Sequence, residues 1–359
     1  MKLKVFVPDW DNQPVNRYCT PLLYAFLQCN LSTQTIHEKY GDWVNDIILV
    51  NNIQDSDVAI LKYEMNYYYD LRKVNELKII NRSTIAAGKL LVCTTKGDVG
   101  ITPALEHFHL YRWSGYNSKN SGNNFILPVF IADPLPFHNK GQITYRQKTV
   151  RPMIGFCGQG KGDILKWGKD VFRIFYFRGM KLMNKYYSDN EPLQSSTYTR
   201  SKLLDSLEKS PHVDTCFIRH KKYRNGIISK EEKVESAKIF FSNILDTQYT
   251  LCYRGAGNFS VRLFETLACG RIPVIILSDN MLPLPDKVDW NRFPIIKSFE
   301  KNDIAQKVCA FHNNLNEDQF IHLQQYARQI WEQYLTYSGF MRIFTDNYIK
   351  SLEAQHSQF

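Results

Sequence analysis

No run of roughly 18 apolar residues, the length a membrane-crossing helix requires, occurs anywhere in this 359-residue chain. The amino terminus, MKLKVFVPDW, holds too few apolar residues for a secretory signal. The eight cysteines contain no C-x-x-C pair, so the spacing of a redox or zinc motif is missing. Most of them sit beside apolar residues, as Cys93 follows Leu91 and Val92. They read as reduced core residues, and a cytoplasmic protein is the expectation. No internal repeat or low-complexity tract stands out, which sets aside a repeat array.

What is present is ample material for folding: 44% of residues are apolar and 14% aromatic, over a length that exceeds one ordinary hydrophobic core. Two domains follow. Lysine and arginine total 45 against 35 acidic residues, a formal charge of +10, which suits an anionic partner. Nucleic acid, a membrane surface and phosphorylated small molecules all qualify. The chain has no recognisable nucleic-acid module and no long basic stripe, so nucleic acid is not expected, and a non-catalytic polyanion-binding protein stands as an alternative.

Short, continuous apolar runs at 2–7, 46–52, 57–63 and 89–95 have the form of strands covered on both faces. Helical patterns at 20–30 and 67–83 alternate with them, which argues an α/β domain with a doubly wound sheet. A polar stretch, WSGYNSKNSGNN, then proline-rich sequence interrupt the pattern, and it restarts at RPMIGFCG. The expected division is a first domain over 1–150, a second over 151–335, and a segment 336–359 free to return to the first.

The chemistry concentrates in YRGAGNFSVRLFETLACGRIPV, residues 253–274. A strand ending at Arg254 runs into Gly255, Gly257 and Asn258, where glycine permits a sharp turn, and Ser260 is placed to cap a helix over 260–269 that Gly270 closes. In an open parallel sheet, ligands bind at the loop that leads from a strand's carboxyl end into a helix. Arg254 and Arg262 bracket that loop. Cations beside a helix start are unfavourable unless an anion joins them, because the dipole there is already positive. Guanidinium matches phosphate in fork geometry, at about 1.5–3 kcal/mol per charge-assisted bond. Glu265, one turn beyond Arg262, could accept bonds from ribose hydroxyls. Arg219, in the basic run FIRHKKYRNG, and Gly158 complete the candidate donor site.

The stretch from Tyr249 to Trp290 resembles the sugar-nucleotide segment of the exostosin family, the inverting glycosyltransferases of family 47, in its stand-alone bacterial or viral form. Arg254, Gly255, Ser260, Arg262, Glu265, Gly270, Pro273, Val274, Asp279, Leu282 and Pro283 carry the likeness. DSDVAIL, AAGKLLVCTTKGDVG and PMIGFCGQGKG are similar to the family's other elements. The resemblance implies a GT-B fold, two Rossmann-like domains facing a central cleft, with the donor on the second. It implies inverting transfer from a nucleoside diphosphate sugar, uridine by family habit, to a glycan, polysaccharide or lipid-linked glycan acceptor. No cofactor is implied.

Inverting transfer needs a group that takes the acceptor's proton. Asp98, after a strand's carboxyl end, and Asp11, after the first strand, are the candidates, followed by His107 and His109. GFCGQGKG fits a P-loop from Gly155 to Lys161, but Gly162 stands where a magnesium-binding hydroxyl belongs, leaving an ATP-dependent phosphotransferase as a second reading. The D-x-D pairs at Asp9 and Asp55 are not where a metal site would need them, and no metal is expected. The stretch 161–187, with seven basic residues against two aspartates among many aromatics, leaves open a peripheral contact with an acidic bilayer.

Overall fold

The computed structural model describes residues 1–8, 16–27, 33–221, 229–297 and 303–356. By its own contacts the chain divides into two units. The first comprises Met1–Pro128, Tyr187–Asp189 and Thr336–Phe359, and the second Val129–Tyr186 and Asn190–Leu335.

In the first unit, β1 (Leu3–Phe6), β2 (Ile47–Val50), β3 (Val58–Ile60), β4 (Leu90–Thr95), β5 (Phe108–Arg112) and β6 (Asn124–Ile126) form one sheet in the order β2-β1-β3-β4-β5-β6. Every pairing is parallel. Val58, Ala59 and Ile60, like Leu91, Val92 and Cys93, are buried without alternation, the mark of strands covered on both faces. The order reverses between β1 and β3, which makes their carboxyl ends the ligand-binding edge. Helices α1 (Thr33–Tyr40), α2 (Met65–Asp70) and α3 (Val74–Ala86) belong to this unit.

Two helical expectations fail here. The apolar run at 20–30 forms only a short 3-10 turn over Pro21–Leu23, with irregular backbone to Leu27 and residues 28–30 outside the described set. Its backbone is engaged from outside: the Thr20 amide donates to the Lys62 carbonyl and the Tyr337 hydroxyl to the Pro21 carbonyl. The helix expected over 67–83 is broken between α2 and α3, where Arg72 takes φ 58°.

The second unit carries α4 (Leu135–His138), β7 (Met153–Gln159), α5 (Ile164–Leu182), α6 (Ser196–Glu208), β8 (Asp214–His220), α7 (Lys230–Asp246), β9 (Tyr249–Cys252), α8 (Val261–Ala268), β10 (Ile272–Leu277), β11 (Ile295–Lys297), α9 (Ile304–Asn313) and α10 (Glu317–Ile330). Its strands pair in parallel in the order β11-β10-β9-β7-β8, with the reversal between β7 and β9. Two Rossmann-like parallel sheets are thus present, as the α/β expectation required.

One unit boundary differs from the expected one. The chain leaves the first unit at Pro128, not at 150. Residues 129–150 are a strap with little regular structure, held to the second unit by groups far away in sequence. The Arg146 amide donates to Gln324 Oε1 at 2.9 Å, the Gln324 amide returns a bond to the Arg146 carbonyl at 2.8 Å, and Arg271 donates to the Thr144 carbonyl at 2.7 Å. Asp133 pairs with Arg328 at 2.6 Å. Hydropathy periodicity carries no trace of such bonds. The last helix, α11 (Tyr337–His356), belongs to the first unit, where the Ser338 hydroxyl donates to the Tyr40 carbonyl at 2.6 Å and Tyr348 bonds His109 at 2.8 Å.

Gly270 follows α8 with φ +60°, and a Cβ there would lie 2.8 Å from Ile143 Cδ1 of the strap. Gly270→Ala is therefore expected to cost about 1–3 kcal/mol, read as a lower denaturation midpoint at unchanged slope.

Candidate functional site

In the second unit the loops leaving β7 and β9 emerge side by side at the strand reversal. The 253–274 stretch supplies the second of them. Arg262, on the first turn of α8, donates from Nη2 to the Cys157 carbonyl of β7 at 2.7 Å and lies 4.2 Å over the Phe156 ring. It therefore spans from the helix start to the neighbouring strand end. Gly158 takes φ +147° beneath it, and a Cβ there would lie 2.9 Å from Arg262 Nη2. Glycine is required at this point both by conformation and by close approach.

Arg254 is buried, donating from Nη2 to the Ala256 carbonyl at 2.9 Å. A third arginine joins it. Arg200 of α6, also buried, reaches the Arg254 carbonyl from Nη1 at 3.5 Å. Nε of all three arginines and Nη1 of Arg254 are buried without a hydrogen-bond partner. Burial, and then the charge of Arg262, push Arg200 down to about 10, and burial lowers Arg262 as well. An unsatisfied buried donor costs about 1–3 kcal/mol, more when charged. A group of N–H donors left in this state at a strand reversal is suited to a diphosphate.

Arg200 was not among the residues expected from sequence. Its signal is its position on α6: it precedes the buried Leu203, Leu204 and Leu207 at helical spacing, so a guanidinium stands in an apolar stripe.

The other expected donor residues fall as follows. Neither Gly255 nor Gly257 takes a positive φ, which corrects the turn argument made for them. A Cβ on Gly255 would meet nothing within 4 Å, so the chain is open above it. Asn258 is buried, its side-chain oxygen accepting from the Ser278 hydroxyl at 3.1 Å, which ties the loop after β9 to the end of β10. Ser260 holds the N-cap position of α8 but its hydroxyl makes no capping bond. Glu265 is half-buried and its charge bears on Arg262. Arg219 is a correction. Its guanidinium is filled by Asp205 at 2.7 Å, Glu208 at 2.8 Å, the Gly160 carbonyl and the Ser201 hydroxyl, so it braces β8 against α6.

The P-loop reading is also corrected. A Cβ on Gly160 would meet Leu204 at 2.7 Å and one on Gly162 the Thr197 carbonyl at 2.9 Å, so these glycines serve packing. The start of α5 is capped by the Asp163 carboxylate, which accepts from the Lys166 amide at 2.8 Å. A carboxylate in that place opposes a phosphate.

In the first unit, the loop after β1 that carries Asp11 lies outside the described residues, as does the Asp9 pair. Asp98 is exposed in the loop after β4. His107 and His109 stand at the amino end of β5, the edge opposite to the binding edge of a parallel sheet, and His109 is engaged by Tyr348. Asp57 likewise precedes β3, accepting from the Lys4 amide at 2.8 Å.

A carboxylate not anticipated from sequence does occupy the binding edge. Glu64 follows β3 at the N-cap position of α2, makes no capping bond, and is buried, with Lys96 Nζ at 3.4 Å. Asn66 Oδ1 accepts from the Lys96 amide at 3.0 Å and fixes the adjoining loop. Burial raises the Glu64 carboxyl, Lys96 pulls it back in part, and the balance is about 7. The signal in sequence is an acidic residue just beyond the buried run DVAILKY.

The fold and site together define an α/β protein with three arginines gathered at a strand reversal, and comparison with known proteins shows what it is similar to. Residues 174–312 match the Exostosin GT47 domain. Exostosin-2 of Mus musculus is 27% identical over 111 residues, covering 30% of this chain and 15% of that protein. Exostosin-2 of Homo sapiens is 25% identical over the same length and coverage. Residues 174–312 are thus similar to the Exostosin GT47 domain, and the match spans only 15% of the length of the curated relatives. Among solved structures, Anabaena HepE in complex with UDP-glucose aligns over 98% of this chain and 100% of its own at TM-score 0.36 and 9% identity. WaaG, a glycosyltransferase involved in lipopolysaccharide biosynthesis, aligns over 96% and 91% at TM-score 0.31 and 11% identity.

Because the Ser260 hydroxyl does not serve α8, Ser260→Ala should change stability by less than about 0.5 kcal/mol, where loss of a bonded cap costs about 1 kcal/mol. The same variant should reduce the thermal shift produced by pyrophosphate.

Proposed function

We propose that this chain transfers a sugar from a nucleoside diphosphate sugar, with uridine as the nucleoside, to a hydroxyl of a glycan or lipid-linked glycan acceptor, with inversion and without a metal. The observation that carries the reading is the set of incompletely paired arginines at the β7/β9 reversal, Arg200 and Arg254 buried and Arg262 half-buried with its Nε closed off, inside the stretch that matches the Exostosin GT47 domain. Arg254, Arg262 and Arg200 hold the donor pyrophosphate. Gly158 and Gly255 let it approach the backbone, Ser260 adds a hydroxyl beside the α8 start, and Glu265 accepts from the ribose.

In this reaction the acceptor oxygen bonds to the anomeric carbon as the bond from that carbon to the diphosphate oxygen breaks. Negative charge grows on the leaving diphosphate, and fixed guanidiniums are the groups that stabilise it. Supplying that charge from arginine fills the part a divalent cation plays in other transferases. The acceptor's proton goes to a carboxylate base. Glu64 is the better candidate for that role, since a carboxyl held near 7 is matched to a proton transfer at neutral pH, with the exposed Asp98 second.

Arg262→Ala should lower kcat/KM for the sugar nucleotide on the order of 100-fold or more, with the circular dichroism spectrum unchanged. Unaltered donor turnover in that variant would remove the site assignment.

Glu64→Gln should lower kcat by roughly 100- to 10,000-fold while UDP still stabilises the protein. The pH dependence follows from the sign of the shift. A carboxyl raised to about 7 keeps its proton below that pH and cannot accept another, so kcat/KM should rise with pH through about 7. An activity profile flat from pH 5 to 8 in the unmodified chain would contradict Glu64 in this role.

A further inference from the structure

Helix α5 turns its apolar side outward. Ile164, Leu165, Phe172, Phe175, Tyr176 and Leu182 are between 55% and 87% exposed. At about 100° per residue these six lie within an arc of about 120°, a single stripe along the helix. Gly168 and Gly179 fall on the same stripe, and a Cβ on either would meet nothing within 4 Å, an independent sign that the face stands clear of the rest of the chain. The packed side lies opposite, where Ile174 is buried and Phe177 stacks on Tyr186. An ordinary surface helix shows the reverse arrangement.

The charges sit where a lipid headgroup layer would meet them. Lys169 and Arg173 are exposed along one flank of the stripe. The only acidic residues between 161 and 187 are Asp163 and Asp170, and both are engaged: the first caps α5, and the second accepts from Lys166 at 2.8 Å and from the Ser195 hydroxyl at 2.5 Å. A second copy of this chain would bring the same cations against one another. A helix of 19 residues is about 28 Å long, and this one carries too many cations to span a bilayer. No helix among the described residues is long and apolar enough to cross a membrane. An apolar stripe with a cationic flank fits the interface plane instead.

We propose that α5 docks the protein on a bilayer rich in anionic phospholipid, with the aromatic and aliphatic stripe inserted at the headgroup boundary and Lys169 and Arg173 against lipid phosphates. This surface is independent of the transferase reading. Helix α5 starts from the loop that leaves β7, so docking brings the carboxyl edge of the second sheet toward the lipid surface.

The test is sedimentation of the full chain with vesicles of phosphatidylcholine alone and of phosphatidylcholine with roughly a third phosphatidylglycerol. Two variants accompany it, the pair Phe172→Ser and Phe175→Ser and the pair Lys169→Glu and Arg173→Glu. All four positions are exposed, so both variants should fold, and each should keep the thermal shift given by UDP. The expected result is co-sedimentation with the anionic vesicles, weakened on the order of tenfold or more by each variant, and little on phosphatidylcholine alone. Absence of co-sedimentation, equal binding to the two vesicle types, or binding untouched by both variants overturns the proposal. A dimer in solution that the same substitutions split would assign the stripe to a second copy and overturn it too.

Discussion

The second unit is organised around positive charge that the fold buries and does not fully satisfy. Arg200, Arg254 and Arg262 come from α6, from the end of β9 and from the start of α8, and each keeps an Nε donor without a partner. Holding them in that state is costly, and several features exist to do it: the Phe156 ring beneath Arg262, the glycine at 158 that makes room for it, and the Asn258–Ser278 bond that ties down the loop. A side chain held against its own solvation preference is preorganised, which is what stabilisation of a leaving diphosphate demands.

The first unit has a carboxylate in the corresponding place. Its sheet reverses between β1 and β3, and Glu64 stands just past β3 in a dry setting with one lysine beside it. Burial dominates Lys96, so the group titrates near neutrality instead of near 4.5. The two sheets share a strand order, 2-1-3-4-5 within each, and each places a titratable or charged cluster at its own reversal. The chemistry differs because the residues after those strands differ: arginine and glycine in one, glutamate and lysine in the other.

Several arginines that look equivalent in sequence are separated only by their partners. Arg219 and Arg328 are paired with carboxylates, and Arg271 donates to four backbone carbonyls, of Thr144, Leu245, Cys269 and Gly270. They cement α6, the strap and α10 to the sheet. Arg254 and Arg262 are not used up in that way, and the glycine-rich run around them was the local sign of it. Arg219 lies in an equally basic run without that glycine-rich sign, and its guanidinium belongs to the scaffold.

What the sequence determined by itself was whatever is written in neighbouring residues. The apolar runs became strands β1, β2, β3, β4, β7 and β9, and Gly270 ended α8, because burial on both faces of a sheet and a left-handed turn each depend on a few consecutive residues. Tertiary structure alone decided which groups meet. It brought Arg200 to Arg254, gave Arg219 to Asp205 and Glu208, and closed Glu64 off from water beside Lys96. It also assigned 129–150 to the second unit and α11 to the first. Those outcomes rest on hydrogen bonds and desolvation between residues tens to hundreds of positions apart, and a solvation free energy has no value until the neighbours that exclude water are in place.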